Sequence, residues 1–231
     1  MALLVALFVA GCGGGGGGST TVGAQGQVAY QWTWRTISRG LSSRVIPTAS
    51  NSMVLSLKNG SGSVVASGTV AFPVSSWLSP SVPVGTYTLT SSTYPTTNGS
   101  GVAQAKGSTS VAVTANQTAT ADLTLGSTVA AMTVSAQSST VNGGSQIQLT
   151  ATAMDSGGNT VVVDPSAITW STNNTAVANV SATGLVTTFE PGSVGLGATF
   201  NQVDLSLGQT PVVSPLFPLT VAGGSTTVTI H

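Results

Sequence analysis

Few side chains in this sequence could transfer protons or attack a substrate. Its 231 residues include one cysteine, Cys12, and one histidine, His231, which is the last residue. A serine or cysteine nucleophile needs a positioned base, usually a histidine, and a terminal residue is poorly placed for that role. Five acidic residues could supply the carboxylate pair of a glycoside hydrolase, but most stand beside turns. We therefore expect no catalytic residues, no cofactor and no enzyme.

Two acidic residues could share a calcium ion. Asp155 and Asp164 flank one predicted hairpin. Calcium binds about six to eight oxygens, often from several carboxylates, and two acids supply few of these. Asp155 also opens the turn sequence Asp-Ser-Gly-Gly-Asn, in which an aspartate side chain commonly accepts hydrogen bonds from the backbone. The sequence therefore favours a turn-forming Asp155 and no metal site.

Aromatic residues are the best candidates for contact with a ligand. Tyr30, Trp32 and Trp34 alternate with polar residues, so they would share one face of a strand. An exposed row of rings could bind a sugar, whereas a buried row would belong to the core, and the alternation favours the core. Trp77 lies in a segment rich in serine and proline, which predicts an exposed loop. A glycan or a cell-surface protein is the expected partner of such a surface.

Charge is scarce. Charged residues make up 4% of the chain, with five basic and five acidic residues. Nucleic-acid binding requires clustered Lys and Arg to neutralise phosphates, and five dispersed cations do not form such a patch. We therefore expect no nucleic-acid partner.

The N-terminus carries an export pattern. Residues 2–10 form an unbroken apolar run, which is too short to cross a bilayer but has the length of the hydrophobic region of a signal peptide. The run ends in Val9-Ala10-Gly11-Cys12, which resembles the bacterial lipobox. That resemblance implies a signal peptide over residues 1–11, acylation of Cys12, and export to the bacterial cell envelope or surface, with the lipid as membrane anchor. Six glycines follow, so residues 12–26 are predicted to be a flexible tether.

Period-two patterns dominate residues 27–126. Segments rich in Val, Thr and aromatic residues are separated by turn signals such as Asn59-Gly60 and Asn98-Gly99. Short strands at this spacing predict a β-sandwich domain. The predicted strands after the aromatic row are 52–58, 63–71, 85–92, 108–114 and 118–125.

Residues 127–231 repeat the strand pattern with a more specific set of motifs. Ile147, Leu149 and Ala151 alternate with polar residues, as a strand with one buried face requires. Trp170 is predicted to fill the space between two sheets. Further strands are expected near 217–222 and 225–230.

The motifs between residues 131 and 199 resemble the bacterial immunoglobulin-like domain, group 2. They occur in the family order, namely Met132-Thr133-Val134, Val141-Asn142-Gly143-Gly144, Ile147 to Ala153, Ile168-Thr169-Trp170-Ser171, Ala176 to Ser181, Gly184-Leu185-Val186-Thr187 and Pro191-Gly192. The resemblance implies a spacer or adhesion unit of a bacterial surface protein.

These observations predict an all-β chain of two tandem Ig-like β-sandwich domains, 27–126 and 127–231, after a signal peptide and a Gly-rich tether. The expected function is that of a non-catalytic, surface-anchored lipoprotein that acts as a structural, adhesive or binding module. The alternative is a carbohydrate-binding lipoprotein that uses exposed aromatic residues of the first domain.

Overall fold

A computed structural model describes residues 23–34 and 46–223. Cys12, His231 and the predicted strand 225–230 lie outside the described residues. Within the described ranges the chain is all-β, as the sequence predicts, with two short 3-10 helices as its helical elements.

Nine strands of the first half form a β-sandwich. They are β1 (Gln25–Gln31), β2 (Ser52–Lys58), β3 (Val64–Ala71), β4 (Ser76–Leu78), β5 (Val82–Pro83), β6 (Gly85–Tyr94), β7 (Ala105–Val113), β8 (Thr118–Thr120) and β9 (Gly126–Ser127). One sheet has the order β3-β2-β6-β7-β9. In the other sheet β1 pairs with β4 and β5 in antiparallel fashion and with β8 in parallel.

The first core lies between these two sheets. β2 buries Met53, Leu55 and Leu57 completely, and β1 buries Val28 and Tyr30 opposite them. Alternate residues point to opposite faces of a strand, so the period-two pattern places one apolar set inside the sandwich. At about 25 cal/mol per Å² of apolar surface, this burial is the main favourable contribution to folding, since the only cysteine of the chain excludes an internal disulfide.

Ten strands and two 3-10 helices make up the second sandwich. They are β10 (Ala131–Ala136), β11 (Thr140–Asn142), β12 (Gln146–Met154), β13 (Thr160–Val161), the helix Pro165–Ala167, β14 (Ile168–Thr172), β15 (Ala178–Val180), β16 (Leu185–Thr188), β17 (Gly192–Phe200), the helix Leu205–Leu207, β18 (Val212–Val213) and β19 (Phe217–Ala222). The sheet orders are β10-β12-β16-β15, with β13 on β12, and β11-β19-β17-β14, with β18 on β17.

Trp170 occupies the interior of the second sandwich, as predicted. Its side chain is half-buried and packs against both groups of buried residues between the sheets, one containing Leu149 and Leu196 and the other Met132 and Phe200. A single large ring thus connects the two parts of the core. Of the final two predicted strands, 217–222 is confirmed as β19.

Two predictions about the first sandwich need correction. The segment 118–125 is not one strand, because β8 ends at Thr120 and the chain then leaves β1 to reach β7. Alternation persists there, with Ala121, Leu123 and Leu125 buried, but a residue can face the core without joining a hydrogen-bond ladder. At the other end, Gln25 and Gly26 lie in β1 rather than in the predicted tether.

The two sandwiches meet at a short polar junction. β9 still pairs with β7 of the first sandwich, and only residues 128–130 separate it from β10 of the second. The Gln209 side chain bonds Ser127 twice, since its Oε1 accepts from the Ser127 amide at 2.9 Å and its Nε2 donates to the Ser127 carbonyl at 2.8 Å. Gln104, only 1% exposed, donates from Nε2 to the carbonyl of Val162 at 2.6 Å.

Candidate functional site

The aromatic row begins with Tyr30 in β1, but the strand ends at Gln31, so Trp32 and Trp34 follow it and do not share one strand with Tyr30 as predicted. The row nevertheless belongs to the core, as the alternation favours. Tyr30 is 4% exposed and Trp34 is 8% exposed, while Trp32 is half-buried. The rings contact one another in sequence: Tyr30 stacks on Trp32 at a centroid distance of 5.3 Å, and Trp32 meets Trp34 edge to face at 6.0 Å. The alternative of an exposed platform is therefore wrong for Tyr30 and Trp34, because both rings contribute to the packing of the first sandwich.

The polar atoms of these three rings differ in their hydrogen bonds. The Tyr30 hydroxyl donates to the carbonyl of Leu123 at 3.3 Å, and Trp34 Nε1 donates to the carbonyl of Val74 at 2.7 Å. Trp32 Nε1 is buried and has no hydrogen-bond acceptor. Buried tryptophan N–H groups usually have an acceptor, so Trp32 stands apart from its neighbours.

A cavity of about 360 Å³ lies beside this row. Ligand-binding pockets commonly measure about 300 to 1,000 Å³, so the cavity is large enough for a small molecule. Its lining residues include the end of β1 and the segment that follows β8. The described lining residues are Tyr30, Gln31, Trp32, Thr33, Ile46, Leu123 and Leu125.

Ile46, Leu123 and Leu125 were not among the residues singled out in the sequence. The alternation of Leu123 and Leu125 identifies them as inward-facing, but no local pattern indicates that they lie next to β1. That proximity arises because β8 pairs with β1 in parallel, which brings distant segments together.

Trp77 is not in an exposed loop. It lies in β4 opposite Tyr30 of β1, is half-buried, and packs against the first core. Its indole also lies directly on the backbone of β3, since a Cβ built on Gly68 would stand 2.4 Å from Trp77 Nε1. The surrounding Ser and Pro residues predict a loop, but pairing with β1 converts the segment into a short strand.

The two aspartates considered for calcium have local structural roles. Asp155 Oδ1 accepts hydrogen bonds from the amides of Gly157 and Asn159, both at 2.9 Å, so the turn-forming interpretation is confirmed. Asp164 caps the first 3-10 helix by accepting from the amide of Ser166 at 2.8 Å. Among residues 23–34 and 46–223, no three His, Cys, Asp or Glu side chains gather as metal ligands.

These hydrogen bonds lower the pKa values of both carboxyl groups. Bonds from the Asn159 backbone and then its side chain hold the pKa of Asp155 below its ordinary value of 3.8, with a further contribution from Gly157. The side chain and then the backbone of Ser166 likewise lower the pKa of Asp164. Both groups are therefore carboxylates at neutral pH and serve to hold turns.

In the part of the chain that the structure describes, we find no helix with the length and apolar character needed to cross a bilayer.

Comparison with known folds gives several structures of low similarity. The crystal structure of the S-layer protein rSbsC(31-844) shares 12% identity over 82% of this chain, which spans 39% of that protein, at a TM-score of 0.34. Murine CEACAM1b shares 12% identity over 77% of this chain and 88% of its own, at a TM-score of 0.25. The fibronectin(III)-like modules of Clostridium thermocellum CbhA share 14% identity over 92% and 97%, at a TM-score of 0.24.

Comparison with curated protein sequences finds no match. Comparison with protein-family models gives one match, which is to the bacterial Ig-like domain (group 2) over residues 128–209. The match contains the motifs from 131 to 199 and ends at the junction residue Gln209. Many cell-surface domains share this sandwich architecture. Residues 128–209 in the C-terminal half of this chain therefore match the bacterial Ig-like domain of group 2, the family that the sequence motifs resemble.

Proposed function

We propose that this chain is an exported lipoprotein that acts as a non-catalytic spacer, in which an acylated Cys12 anchors two docked β-sandwiches to the bacterial cell envelope. Its proposed role is to hold a surface at a defined distance and orientation from the membrane. A protein or glycan of the cell surface would be the partner of such a module.

The observation that carries the proposal is the order of features at the N-terminus. An apolar run ends at Val9-Ala10-Gly11-Cys12, six glycines follow, and the first strand of a folded domain begins at Gln25. Acyl chains on Cys12 would fix the chain to a membrane, and about a dozen small residues would separate the lipid surface from the first sandwich.

The junction supports the idea of a stiff spacer. Flexible linkers between domains are usually polar segments that few contacts cross, but here only residues 128–130 lie between β9 and β10. Val102 of the first half packs against the buried cluster around Phe200, and Gln104 and Gln209 bond across the boundary. Directional hydrogen bonds from the side-chain amides of Gln104 and Gln209 favour one relative orientation of the sandwiches.

Mass spectrometry of the protein extracted from bacterial membranes tests the anchor. We expect an N-terminal peptide that begins at Cys12 and carries the mass of attached acyl chains. The Cys12→Ser variant should lose the acyl mass and leave the membrane fraction. A protein that keeps residues 1–11 and remains unacylated would contradict the proposal.

A further inference from the structure

Each Asn-Gly pair of the sequence stands at a turn of one of the sandwiches. The pairs are Asn59-Gly60, Asn98-Gly99 and Asn142-Gly143. The backbone nitrogen of a glycine that follows an asparagine can attack the side-chain carbonyl carbon of that asparagine, because glycine has no side chain to obstruct the approach. The pairs share this local sequence, so a difference in their reactivity must come from the folded structure.

The turn between β2 and β3 surrounds the side-chain oxygen of Asn59 with hydrogen-bond donors. Oδ1 of Asn59 accepts from the amide of Ser61 at 3.1 Å, from the hydroxyl of Ser61 at 2.7 Å and from the amide of Ser63 at 2.9 Å. Attack on the carbonyl carbon places negative charge on this oxygen, and donors directed at the oxygen stabilise that charge. The turn therefore activates the Asn59 side chain toward a nucleophile.

The neighbouring backbone nitrogen is available for the attack. Gly60 is exposed, and its amide donates no hydrogen bond within the part of the chain that the structure describes. By contrast, the Gly99 amide donates to the Ser52 hydroxyl at 3.1 Å, and the Gly143 amide donates to the Ala222 carbonyl at 3.2 Å. These two amides must lose a hydrogen bond before they attack, which raises the barrier. The first pair alone combines an activated carbonyl with an unbonded nitrogen.

From this geometry we infer that Asn59 is a site of spontaneous deamidation in the folded protein. The Gly60 nitrogen forms a bond to Cγ of Asn59, and the side-chain nitrogen leaves as ammonia with the proton that the Gly60 amide loses, which closes a succinimide ring. Water then adds to one of the two ring carbonyls and breaks the bond from that carbon to the Gly60 nitrogen, which gives aspartate or isoaspartate. The modification goes beyond the proposed spacer function and does not depend on the lipid anchor.

Both products change the turn. Each adds a negative charge next to Lys58, so the formal net charge of the chain moves from zero to minus one. Aspartate keeps an acceptor for the amides of Ser61 and Ser63. Isoaspartate directs the main chain through Cγ, which lengthens the turn by one carbon atom and displaces that acceptor.

Peptide mass spectrometry of the complete chain, incubated at mildly alkaline pH, tests the inference. The measured quantity is the fraction of each Asn-Gly pair in which OH has replaced NH2. In the folded chain we expect Asn59 to react about tenfold faster than Asn98 and Asn142, since loss of one hydrogen bond corresponds to about this factor. In guanidinium chloride the pairs should react at similar rates, because only their shared local sequence then acts.

Two variants test the two parts of the geometry. Gly60→Ala is tolerated by the fold, because no atom lies within 4 Å of the added Cβ and the glycine is not in the left-handed region. Its methyl group obstructs the nitrogen and should slow the reaction of Asn59 about tenfold. Ser61→Ala removes the hydroxyl donor and should slow the reaction about threefold or more. Asn98 in the same samples is the control and should keep its rate, and circular dichroism shows that each variant is folded.

Three results would overturn the inference. The first is an equal or faster reaction of Asn98 or Asn142 in the folded chain. The second is an Asn59 that reacts in guanidinium chloride but stays intact in the folded chain, because the turn would then protect the side chain. The third is a rate at Asn59 that neither variant changes. None of these results bears on acylation of Cys12, so the anchor and the deamidation site are tested separately.

Discussion

Gly184 and Trp170 illustrate how one residue permits the packing of another. Gly184 has a φ of +80° in the turn before β16, and a Cβ built there would lie 2.8 Å from Cζ2 of Trp170. The ring of Trp170 can therefore rest on this turn only if the turn residue has no side chain. This contact joins the two sheets of the second sandwich.

Replacement of Gly184 should lower the free energy of unfolding by more than the strain of its left-handed backbone conformation alone. A non-glycine residue in the left-handed region costs about 1 kcal/mol, and overpacking of a core adds about 1–3 kcal/mol. We expect Gly184→Ala to lower the free energy of unfolding by about 2–4 kcal/mol in chemical denaturation. The control is Gly158→Ala, where φ is +78° and no atom lies within 4 Å of the added Cβ, so only the backbone cost applies. Equal losses for the two variants would show that Trp170 does not restrict position 184.

Asp155 and Asp164 connect turn geometry to pH dependence. Because the pKa of each carboxyl is lowered in the folded chain, each group stabilises the fold above the unfolded value of 3.8, and this contribution is lost as pH falls through the lower folded value. We expect a melting temperature that is nearly constant from about pH 8 to about pH 5 and falls below about pH 4. Thermal unfolding measured from about pH 8 down to about pH 2 detects the effect. The double variant Asp155→Asn, Asp164→Asn should show a smaller fall in melting temperature below about pH 4. A fall centred between pH 5 and 7 would contradict this assignment.

The short strand β4 contributes to stability in spite of its three residues. It pairs Trp77 with Tyr30 across the edge of the smaller sheet and places the Trp77 indole on Gly68 of β3, in the opposite sheet. One side chain thereby closes this edge of the sandwich. The strand and its tryptophan are part of the first core, because their contacts are with buried residues of both sheets.

Removal of this indole should destabilise the first sandwich. We expect Trp77→Ala to lower the free energy of unfolding by about 2 kcal/mol. This is less than the loss expected when a fully buried tryptophan is replaced by alanine. Phe189→Ala is the control, since Phe189 is 50% exposed in the second sandwich and its loss should cost about 0.5 kcal/mol or less. A stability equal to that of the parent chain would show that β4 only covers the surface.

Side-chain hydrogen bonds connect the two sandwiches at the junction. Gln209 is central there, because its Oε1 accepts from the amides of both Ser127 and Asp204 while its Nε2 donates to the Ser127 carbonyl. Two of these three bonds tie the second sandwich to β9, which pairs with the first. Loss of the side chain would leave buried backbone groups without partners.

We expect Gln209→Ala to loosen the relative orientation of the sandwiches. An unsatisfied buried backbone group costs about 1–3 kcal/mol, so the variant should unfold at a lower temperature and in two transitions rather than one. Small-angle X-ray scattering should show a broader distribution of distances within the molecule. Gln146→Ala removes an exposed glutamine of β12 that is distant from the junction and should change neither measurement. A single transition and an unchanged scattering profile in Gln209→Ala would show that apolar packing alone fixes the orientation.

Local patterns determine much of this molecule. The side-chain period of two is a property of each strand, so alternation predicts β2 with its observed bounds and the inward-facing Tyr30 and Trp34. The sequence Asp-Ser-Gly-Gly-Asn predicts the turn at Asp155. Alternation and the family motifs together predict the second sandwich, and a large ring in a sandwich predicts the place of Trp170. Pairing between distant segments cannot be predicted in this way, because it depends on contacts that no local pattern contains. For that reason only the folded chain shows that Trp77 is in a strand and that 121–125 leaves the ladder while its alternate residues still face the core. Only the folded chain likewise shows that Gln104 and Gln209 join the sandwiches and that separate segments line an open cavity beside Trp32.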